Sequence, residues 1–239
     1  LMSDPNNLKI KIFLDGANEE DMLSAYGNPL VKGFTTNPSL MRKAGVEDYE
    51  VFARGMVAKM PDRSISFEVF ADDPAEMERQ AMKITTWGEN VYVKIPITNT
   101  KAESTVPLVK KLRGEGVKIN ITAMMTVDQV RGLIDGMGDG PSSYVSVFAG
   151  RLGDRGWDPI PMMTECLEIT KQRDGAELLW ASTRQVYNIV EADRMGCHII
   201  TVPGGMIKQL SHFGADMTAH SLDTVQAFYD DATASGFDL

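Results

Sequence analysis

The stretch NVYVKIPITN, residues 90–99, decides the fold, because it has the pattern of a buried β-strand and yet contains a lysine. Apolar residues occupy both faces of this strand, which is the pattern of a parallel sheet covered on both sides. Lys94 interrupts the pattern, and ionised lysine is among the residues least often fully buried. Either the strand ends where the ammonium reaches water, or the lysine is kept inside for chemistry.

Similar short runs occur along the whole chain and alternate with segments long enough for helices. They are KIKIFLDG (9–16), VKGFTTN (31–37), SISFEVFA (64–71), VKINITAM (117–124), SYVSVFAG (143–150), ELLWAS (177–182) and HIITVP (198–203). Strict strand–helix alternation implies parallel pairing with right-handed crossovers. Eight such units predict an α/β fold, a (β/α)8 TIM barrel, as a single domain over residues 1–239. A doubly wound open sheet is the alternative, but FLDGAN (13–18) lacks the GxGxxG turn that such a sheet usually carries.

Several residues predict where helices begin. Asp73 can cap a helix with Pro74 in its first turn, and Thr126 is a second N-cap candidate. Pro107 would break a helix interior, so the helix after Lys94 should start close to it. The tail at 221–239 carries an amphipathic helix beyond what the barrel needs, and it is expected to pack on the barrel or on a neighbouring subunit.

The charge balance limits the possible partners. With 24 Lys and Arg against 33 Asp and Glu, the net charge is −9, which argues against general affinity for nucleic acid or anionic membrane. Cys166 and Cys197 make no disulfide framework, which fits the reducing cytoplasm. The sequence has no apolar run of transmembrane length, and LMSDPNN (1–7) lacks the regions of a signal peptide.

Polar residues stand near the carboxyl ends of the predicted strands, where a barrel of this kind forms its active site. They are Asp15, Thr35, Asn37, Glu68, Lys94, Asn120, Thr122, Ser146, Arg151, Ser182 and Arg184. Stability alone does not explain a convergent polar ring, because each buried polar group needs a partner.

Lys94 is the centre of this ring. Desolvation disfavours the ammonium form, and a neutral amine is a nucleophile towards carbonyls. The alternative is a lysine whose head reaches solvent at the rim. Glu68 lies between two phenylalanines and needs a partner or a raised pKa, which makes it a candidate proton donor and acceptor. Asp15 could instead cap the first helix in competition with Asn18, and Asn37 could belong only to a turn.

Arg151 and Arg184, with the hydroxyl of Ser182, could hold a phosphate near the loops after the late strands. The alternative is a pair of surface salt bridges. The three histidines show no metal-ligand spacing, so no metal is predicted. A lone lysine could also bind pyridoxal phosphate, but two carboxylates and polar amides beside the amine suit sugar carbonyl chemistry better, and no cofactor is predicted.

The ordered motifs resemble those of one known family over almost the whole chain. They are FLDGAN (13–18), GFTTNPSL (33–40), SFEVF (66–70), VYVKIP (91–96), INITAM (119–124), VSVFAGRLGD (145–154) and WASTR (180–184). Together they resemble the transaldolase family, most closely its short-chain subgroup, which includes the fructose-6-phosphate aldolases. The resemblance implies a Schiff-base mechanism on sugar phosphates, no cofactor, and a homo-oligomer that is a pentamer or decamer.

The resemblance also implies roles for individual residues. Lys94 would form the Schiff base, Asp15 would take the proton of the C4 hydroxyl, and Glu68 with Thr122 and a water would move protons during imine formation and hydrolysis. The implied substrate-binding residues are Thr35, Asn37, Asn120, Ser146, Phe148, Arg151, Ser182 and Arg184.

Two positions favour transfer over cleavage. Fructose-6-phosphate aldolases carry a glutamine where Glu68 stands and a tyrosine where Phe148 stands, and phenylalanine cannot help protonate and release the enamine. The predicted activity is therefore transfer of a dihydroxyacetone unit from a ketose phosphate to an aldose phosphate in the pentose phosphate pathway. The alternatives are cleavage that releases free dihydroxyacetone, a related enzyme of a specialised sugar pathway, and a catalytically inactive sugar-phosphate binding protein.

Overall fold

The computed structural model describes residues 4–238, so the first three residues of LMSDPNN and the last residue of the tail lie outside the described residues. Within this range each strand pairs in parallel with the next, and the eighth returns to the first. The predicted TIM barrel is confirmed. The strands are β1 (Lys11–Asp15), β2 (Val31–Thr35), β3 (Ser64–Glu68), β4 (Val91–Pro96), β5 (Ile119–Met124), β6 (Ser143–Val147), β7 (Ala176–Trp180) and β8 (Ile199–Val202).

Helices connect the strands and, apart from the last one, pack around the barrel. They are α1 (Glu19–Tyr26), α2 (Pro38–Lys43), α3 (Tyr49–Lys59), α4 (Pro74–Thr85), α5 (Val106–Gly114), α6 (Val127–Gly136), α7 (Ala149–Gly153), α8 (Pro159–Thr170), α9 (Tyr187–Arg194), α10 (Gly204–Gln209) and α11 (Met217–Ser235). Short 3₁₀ helices occur at Pro5–Asn7 and Leu210–His212.

The predicted helix starts agree with the structure. The Asp73 carboxylate accepts hydrogen bonds from the backbone N–H groups of Ala75 and Glu76, both at 3.0 Å. Thr126 and Gln129 form a reciprocal capping box, which satisfies two N–H groups that a helix terminus leaves unpaired. α5 begins next to Pro107, as expected.

An aromatic layer fills the barrel interior below the strand ends. Phe13 meets Tyr144 edge-on with ring centroids 5.5 Å apart, and Tyr92 stacks on Tyr144 at 4.0 Å. Gly33 makes room for this layer, because a Cβ there would lie 2.7 Å from both the Phe13 ring and the Ser64 hydroxyl. The barrel is therefore closed from below, and its functional opening is at the carboxyl ends of the strands.

The C-terminal helix differs from the prediction in its start and its packing. α11 begins four residues earlier than expected, because Asp216 caps it by accepting a hydrogen bond from Thr218 N at 2.9 Å. Every residue of α11 is exposed, including Leu222, Val225 and Phe228, so packing on its own barrel was the wrong alternative. Across residues 4–238, no helix has both the length and the apolar character needed to cross a membrane.

Candidate active site

A cavity of about 160 Å³ opens where the strands end, and it gathers nearly all the predicted polar residues. Eleven of the twelve predicted site residues line it: Asp15, Thr35, Asn37, Lys94, Asn120, Thr122, Ser146, Phe148, Arg151, Ser182 and Arg184. Glu68, the twelfth, does not line it but pairs with Lys94 on the neighbouring strand. A larger cavity of about 510 Å³ lies outside the barrel beside α1 and α10 and contains none of these residues. Convergent chemistry rather than size therefore identifies the candidate site.

Lys94 lies inside the barrel, and its side chain is only 8% exposed. Its Nζ donates a hydrogen bond to the Thr36 carbonyl at 3.1 Å and lies 3.7 Å from a carboxylate oxygen of Glu68. A carbonyl accepts a hydrogen bond from an amine as well as from an ammonium, so this partner holds the nitrogen in place in either protonation state. The lysine does not reach bulk solvent at the rim.

Two carboxyl groups flank the amine, and burial dominates both of their pKa values. Burial raises the pKa of Asp15, although the charge of Lys94 and the Thr35 hydroxyl partly offset the effect. Burial likewise raises the pKa of Glu68, against the opposing influence of Lys94. Asp15 does not cap the first helix, since Asn18 does so by accepting from Asp21 N at 3.0 Å. Both acids are thus candidates for proton transfer.

A pair of threonines orients Asp15. The Thr35 hydroxyl donates to the Asp15 carboxylate at 2.8 Å and lies 2.6 Å from the Thr201 hydroxyl. Thr201 belongs to the last strand and was missed in the sequence, although it is the polar residue in the middle of the apolar run HIITVP. The three side chains form one hydrogen-bonded row across β2, β1 and β8, which fixes the direction of the carboxylate.

Asn120 on β5 is held between two serines, one on the neighbouring β6 and one on β3. Its amide donates to the Ser66 hydroxyl at 3.0 Å and accepts from the Ser146 hydroxyl at 2.6 Å. Asn120 and Thr122 face the same cavity, as their alternation along β5 predicted. The Thr122 hydroxyl is buried without a hydrogen-bond partner among residues 4–238, so it is free to bind a water or a substrate hydroxyl.

Asn37 caps a helix and also lines the cavity. Its side-chain oxygen caps α2 by accepting a hydrogen bond from Leu40 N at 2.9 Å, two residues after β2 ends at Thr35. The residue also lines the cavity. Because the cap uses only the oxygen, the amide N–H groups remain available to a ligand.

Strained backbone occurs at the ends of two strands beside the cavity. Ala123 and Ser182 have φ values of +65° and +62°, a region that non-glycine residues rarely adopt. The register between β5 and β6 is irregular between Ile121 and Met124, around Thr122, which lines the cavity. Strain of this kind persists where the surrounding structure enforces it, and it clusters at functional sites.

Gly150 enforces one of these turns by its closeness. A Cβ on Gly150 would lie 1.6 Å from the carbonyl oxygen of Ser182, so only glycine fits there. The start of α7 is therefore pressed against the chain that leaves β7. This contact brings Arg151 and Ser182 to the same side of the cavity.

The two arginines adopt different environments on that side. Arg151 stacks over Phe148, with its guanidinium carbon 5.3 Å from the ring centroid. Arg184 lines the cavity and also forms a salt bridge with Asp154 at 2.6 Å. The surface salt bridge foreseen as an alternative thus exists for Arg184 without removing it from the cavity.

Potential metal ligands do not cluster in the described part of the chain, where no three His, Cys, Asp or Glu side chains lie together as they would around a metal ion. The chemistry available at the cavity is that of one amine, two acids, hydroxyls, amides and two guanidinium groups.

Comparison with known proteins agrees with the motifs. Residues 12–239 match the family described as Transaldolase/Fructose-6-phosphate aldolase. A "Probable transaldolase" of Dehalococcoides mccartyi is 36% identical over 203 residues, 84% of this chain and 90% of that protein. A protein of the same name from Methanococcus maripaludis is 33% identical over 223 residues, 89% and 99% of the two chains. The crystal structure of dihydrodipicolinate synthase from Rhodopseudomonas palustris has a TM-score of 0.55 at 13% identity, covering 97% of this chain and 82% of that one, which shows the shared fold alone.

Proposed function

The chain belongs to the transaldolase/fructose-6-phosphate aldolase family of enzymes, and from this premise we propose that it is a Schiff-base transaldolase. It transfers a dihydroxyacetone unit from sedoheptulose 7-phosphate or fructose 6-phosphate to glyceraldehyde 3-phosphate or erythrose 4-phosphate, in the pentose phosphate pathway. The observation that carries the proposal is the buried Lys94 amine, 3.7 Å from one acid and in the same cavity as another. The proposed place of work is the cytoplasm, where thiols such as the free Cys166 and Cys197 stay reduced.

The reaction begins when the Lys94 nitrogen attacks the C2 carbonyl of the ketose. The carbinolamine loses water and becomes a protonated imine, which can accept electrons. Asp15 takes the proton of the C4 hydroxyl, the C3–C4 bond breaks, and the first aldose leaves. The electrons of the broken bond pass into the three-carbon fragment, which stays bonded to Lys94 as an enamine. The carbon of this enamine then attacks the second aldehyde. Asp15 then returns its proton to the new hydroxyl, and water releases the product.

The environments of the two acids suit these roles. A general base works best when its pKa approaches the operating pH, and burial moves the pKa of Asp15 in that direction. Glu68 touches the amine from the adjacent strand and, with its raised pKa, can both give and take protons as the imine forms and is hydrolysed. The unpaired hydroxyl of Thr122 is suited to hold the water that takes part in these steps.

The remaining polar groups bind the sugar phosphate. Asn37 and Asn120 contact the hydroxyls of the three-carbon unit, with Ser146 fixing Asn120 and Thr35 fixing Asp15. On the opposite side, Arg151, Arg184 and Ser182 hold the terminal phosphate, because guanidinium groups match the geometry of phosphate oxygens.

Phe148 decides between transfer and release. It lines the cavity beside Arg151 and offers no hydroxyl to protonate the enamine. The enamine therefore waits for an acceptor aldehyde, whereas the aldolases of the same family carry a tyrosine at this position.

Borohydride trapping tests the proposal. Treatment with fructose 6-phosphate and borohydride should leave a three-carbon adduct on Lys94, found by peptide mass spectrometry, and Lys94→Met should show none. An unmodified Lys94 in the wild-type protein refutes the mechanism. If the wild-type protein releases free dihydroxyacetone without an acceptor as fast as it turns over with one, the aldolase alternative is identified. If the wild-type protein shows no turnover and Lys94→Met binds sugar phosphate as tightly as the wild type, the protein is a binding protein.

The exposed apolar face of α11 supports a proposed homo-oligomer, a pentamer or decamer. Leu222, Val225 and Phe228 are 60–70% exposed, and large apolar side chains grouped on one exposed face are typical of an interaction surface. We expect this helix to pack on another copy of the chain. Light scattering of the Phe228→Asp variant should then show a smaller species than the wild-type protein, whereas a monomeric wild-type protein contradicts the proposal.

A further inference from the structure

Arg184 is held by a carboxylate that lies outside the candidate active-site cavity. Its Nε donates to both carboxylate oxygens of Asp154, at 3.0 and 3.1 Å, and its Nη2 donates to one of them at 2.6 Å. The two side chains are 47% and 44% exposed, and an ion pair so exposed contributes little to stability. The pair therefore matters more for the position of the Arg184 guanidinium than for the stability of the fold.

The contact occupies one edge of the guanidinium and leaves another open. Asp154 takes the edge formed by Nε and Nη2, so the edge formed by Nη1 and Nη2 still offers N–H groups to a second anion. Arg184 lines the active-site cavity, whereas Asp154 lines a neighbouring cavity of about 430 Å³ that shares Arg184 and Arg151 with it. The arginine thus lies between the two cavities, with its carboxylate partner in the neighbouring one.

The charge of Asp154 makes the pair persistent. Hydrogen bonds from Arg184 lower the pKa of Asp154, so the carboxylate stays ionised under all conditions in which sugar phosphates are dianions. A free arginine side chain would lose rotamer entropy on gripping a phosphate, whereas one already fixed by Asp154 loses less.

We infer that Asp154 is a positioning residue that holds Arg184 with its open edge towards the phosphate of the substrate. The inference rests on the proposed function, in which Arg184 grips that phosphate. Simple electrostatics predicts the opposite effect, because a carboxylate near a phosphate site repels the ligand. The two accounts therefore predict opposite signs when Asp154 is removed.

Steady-state kinetics on the full-length protein distinguish them. KM and kcat are measured with fructose 6-phosphate and with unphosphorylated fructose as donors, for Asp154→Ala, Asp154→Asn and Arg184→Ala. Asp139→Ala is the matched control, because it also removes one exposed carboxylate from an ion pair with an arginine. That pair, with Arg173 at 2.9 Å, lies outside the two cavities. Melting temperatures of all variants exclude general unfolding.

Positioning predicts that Asp154→Ala raises KM for fructose 6-phosphate about tenfold, the loss expected for roughly one hydrogen bond to a charged group. The KM for unphosphorylated fructose and the kcat should stay near wild-type values, Asp139→Ala should have no effect, and Asp154→Asn, which keeps one acceptor oxygen, should lie between. If Asp154→Ala fails to fold, Asp154→Asn alone must show the selective rise in KM.

An unchanged or lowered KM in a folded Asp154 variant, beside a raised KM in Arg184→Ala, overturns the positioning role while the proposed function stands. If Arg184→Ala also leaves KM unchanged, both the inference and the phosphate role of Arg184 are wrong. Failure of the proposed function itself would appear separately, as wild-type protein in which borohydride leaves no adduct on Lys94.

Discussion

Gly150→Ala should damage the site through backbone contact alone. The alanine Cβ would lie 1.6 Å from the carbonyl oxygen and 2.7 Å from the carbonyl carbon of Ser182, where ordinary contact begins at about 3.4 Å. The turn after β7 must therefore retreat by about 1.8 Å, because the obstacle is backbone rather than the end of a flexible side chain.

The magnitude follows from two effects of opposite sign. Overpacking a well-packed region costs typically about 1–3 kcal/mol. Alanine gains roughly 0.5–1 kcal/mol over glycine within a helix, which offsets only part of that cost. The displaced turn also carries Ser182 and Arg184, and a misplacement of about 1 Å can cost on the order of 10²-fold in rate. We expect a net loss of about 1–2 kcal/mol of stability and about 10²-fold in kcat/KM for the phosphorylated donor.

Urea denaturation and donor kinetics measure the two losses, and Gly153→Ala is the matched control in the same short helix. A Cβ on Gly153 meets nothing within 4 Å, so that variant should be as stable as the wild-type protein or slightly more stable. Should Gly150→Ala match Gly153→Ala in stability and activity, the proposed dependence of the site on this close contact is wrong.

Two predictions concern the protonation of the acids. In Lys94→Met the pKa values of Asp15 and Glu68 should rise further, because the charge of Lys94 lowers both. The two carboxyl groups of the folded variant then hold more protons than those of the wild-type protein at pH values above the ordinary carboxyl pKa. The stability of the variant relative to wild type should therefore fall as pH rises from that range, and a difference in stability that is independent of pH in urea titrations contradicts this. Thr35→Val removes the 2.8 Å hydrogen bond that lowers the pKa of Asp15, so the acid limb of kcat/KM should move to higher pH. Thr201→Val, which removes no direct bond to Asp15, should shift that limb less, and an acid limb that does not move in Thr35→Val would count against the assignment of Asp15 as the base.

The barrel could be predicted from the sequence because its strands and helices carry independent local signals. Short β-branched runs alternate with capped amphipathic segments, and Thr126 with Gln129 shows how a cap marks a helix start. The start of α11 was missed for a physical reason. Its apolar residues are exposed within residues 4–238, so hydrophobic periodicity does not mark the start of the helix at Met217, which the cap Asp216 sets.

The sequence predicted the parts of the site that side chains form, but not the parts that the backbone forms. Strand-end position predicted that Lys94, Asp15 and Asn120 would converge, because parallel strands end at the same face. The Thr36 carbonyl that holds Lys94 has no sequence signal, since every residue has a carbonyl. The positive φ of Ser182 also has no signal in the sequence, because packing rather than residue type imposes it.

The order of the strands in the closed barrel shows how a chain of net charge −9 could hold the proposed anionic substrate. Glu68 ends β3, whereas Ser182 and Arg184 follow β7, and strands three and seven lie opposite one another in a closed ring of eight. Glu68 thus lies across the barrel from Ser182 and Arg184, and burial raises the pKa values of both Glu68 and Asp15, which favours their uncharged forms. Net charge therefore predicts little here, because the field that a ligand meets is set by a few groups in a water-poor cavity. Under the proposed function, this polarity favours one orientation of a sugar phosphate, with its carbonyl at Lys94 and its phosphate towards β6 and β7.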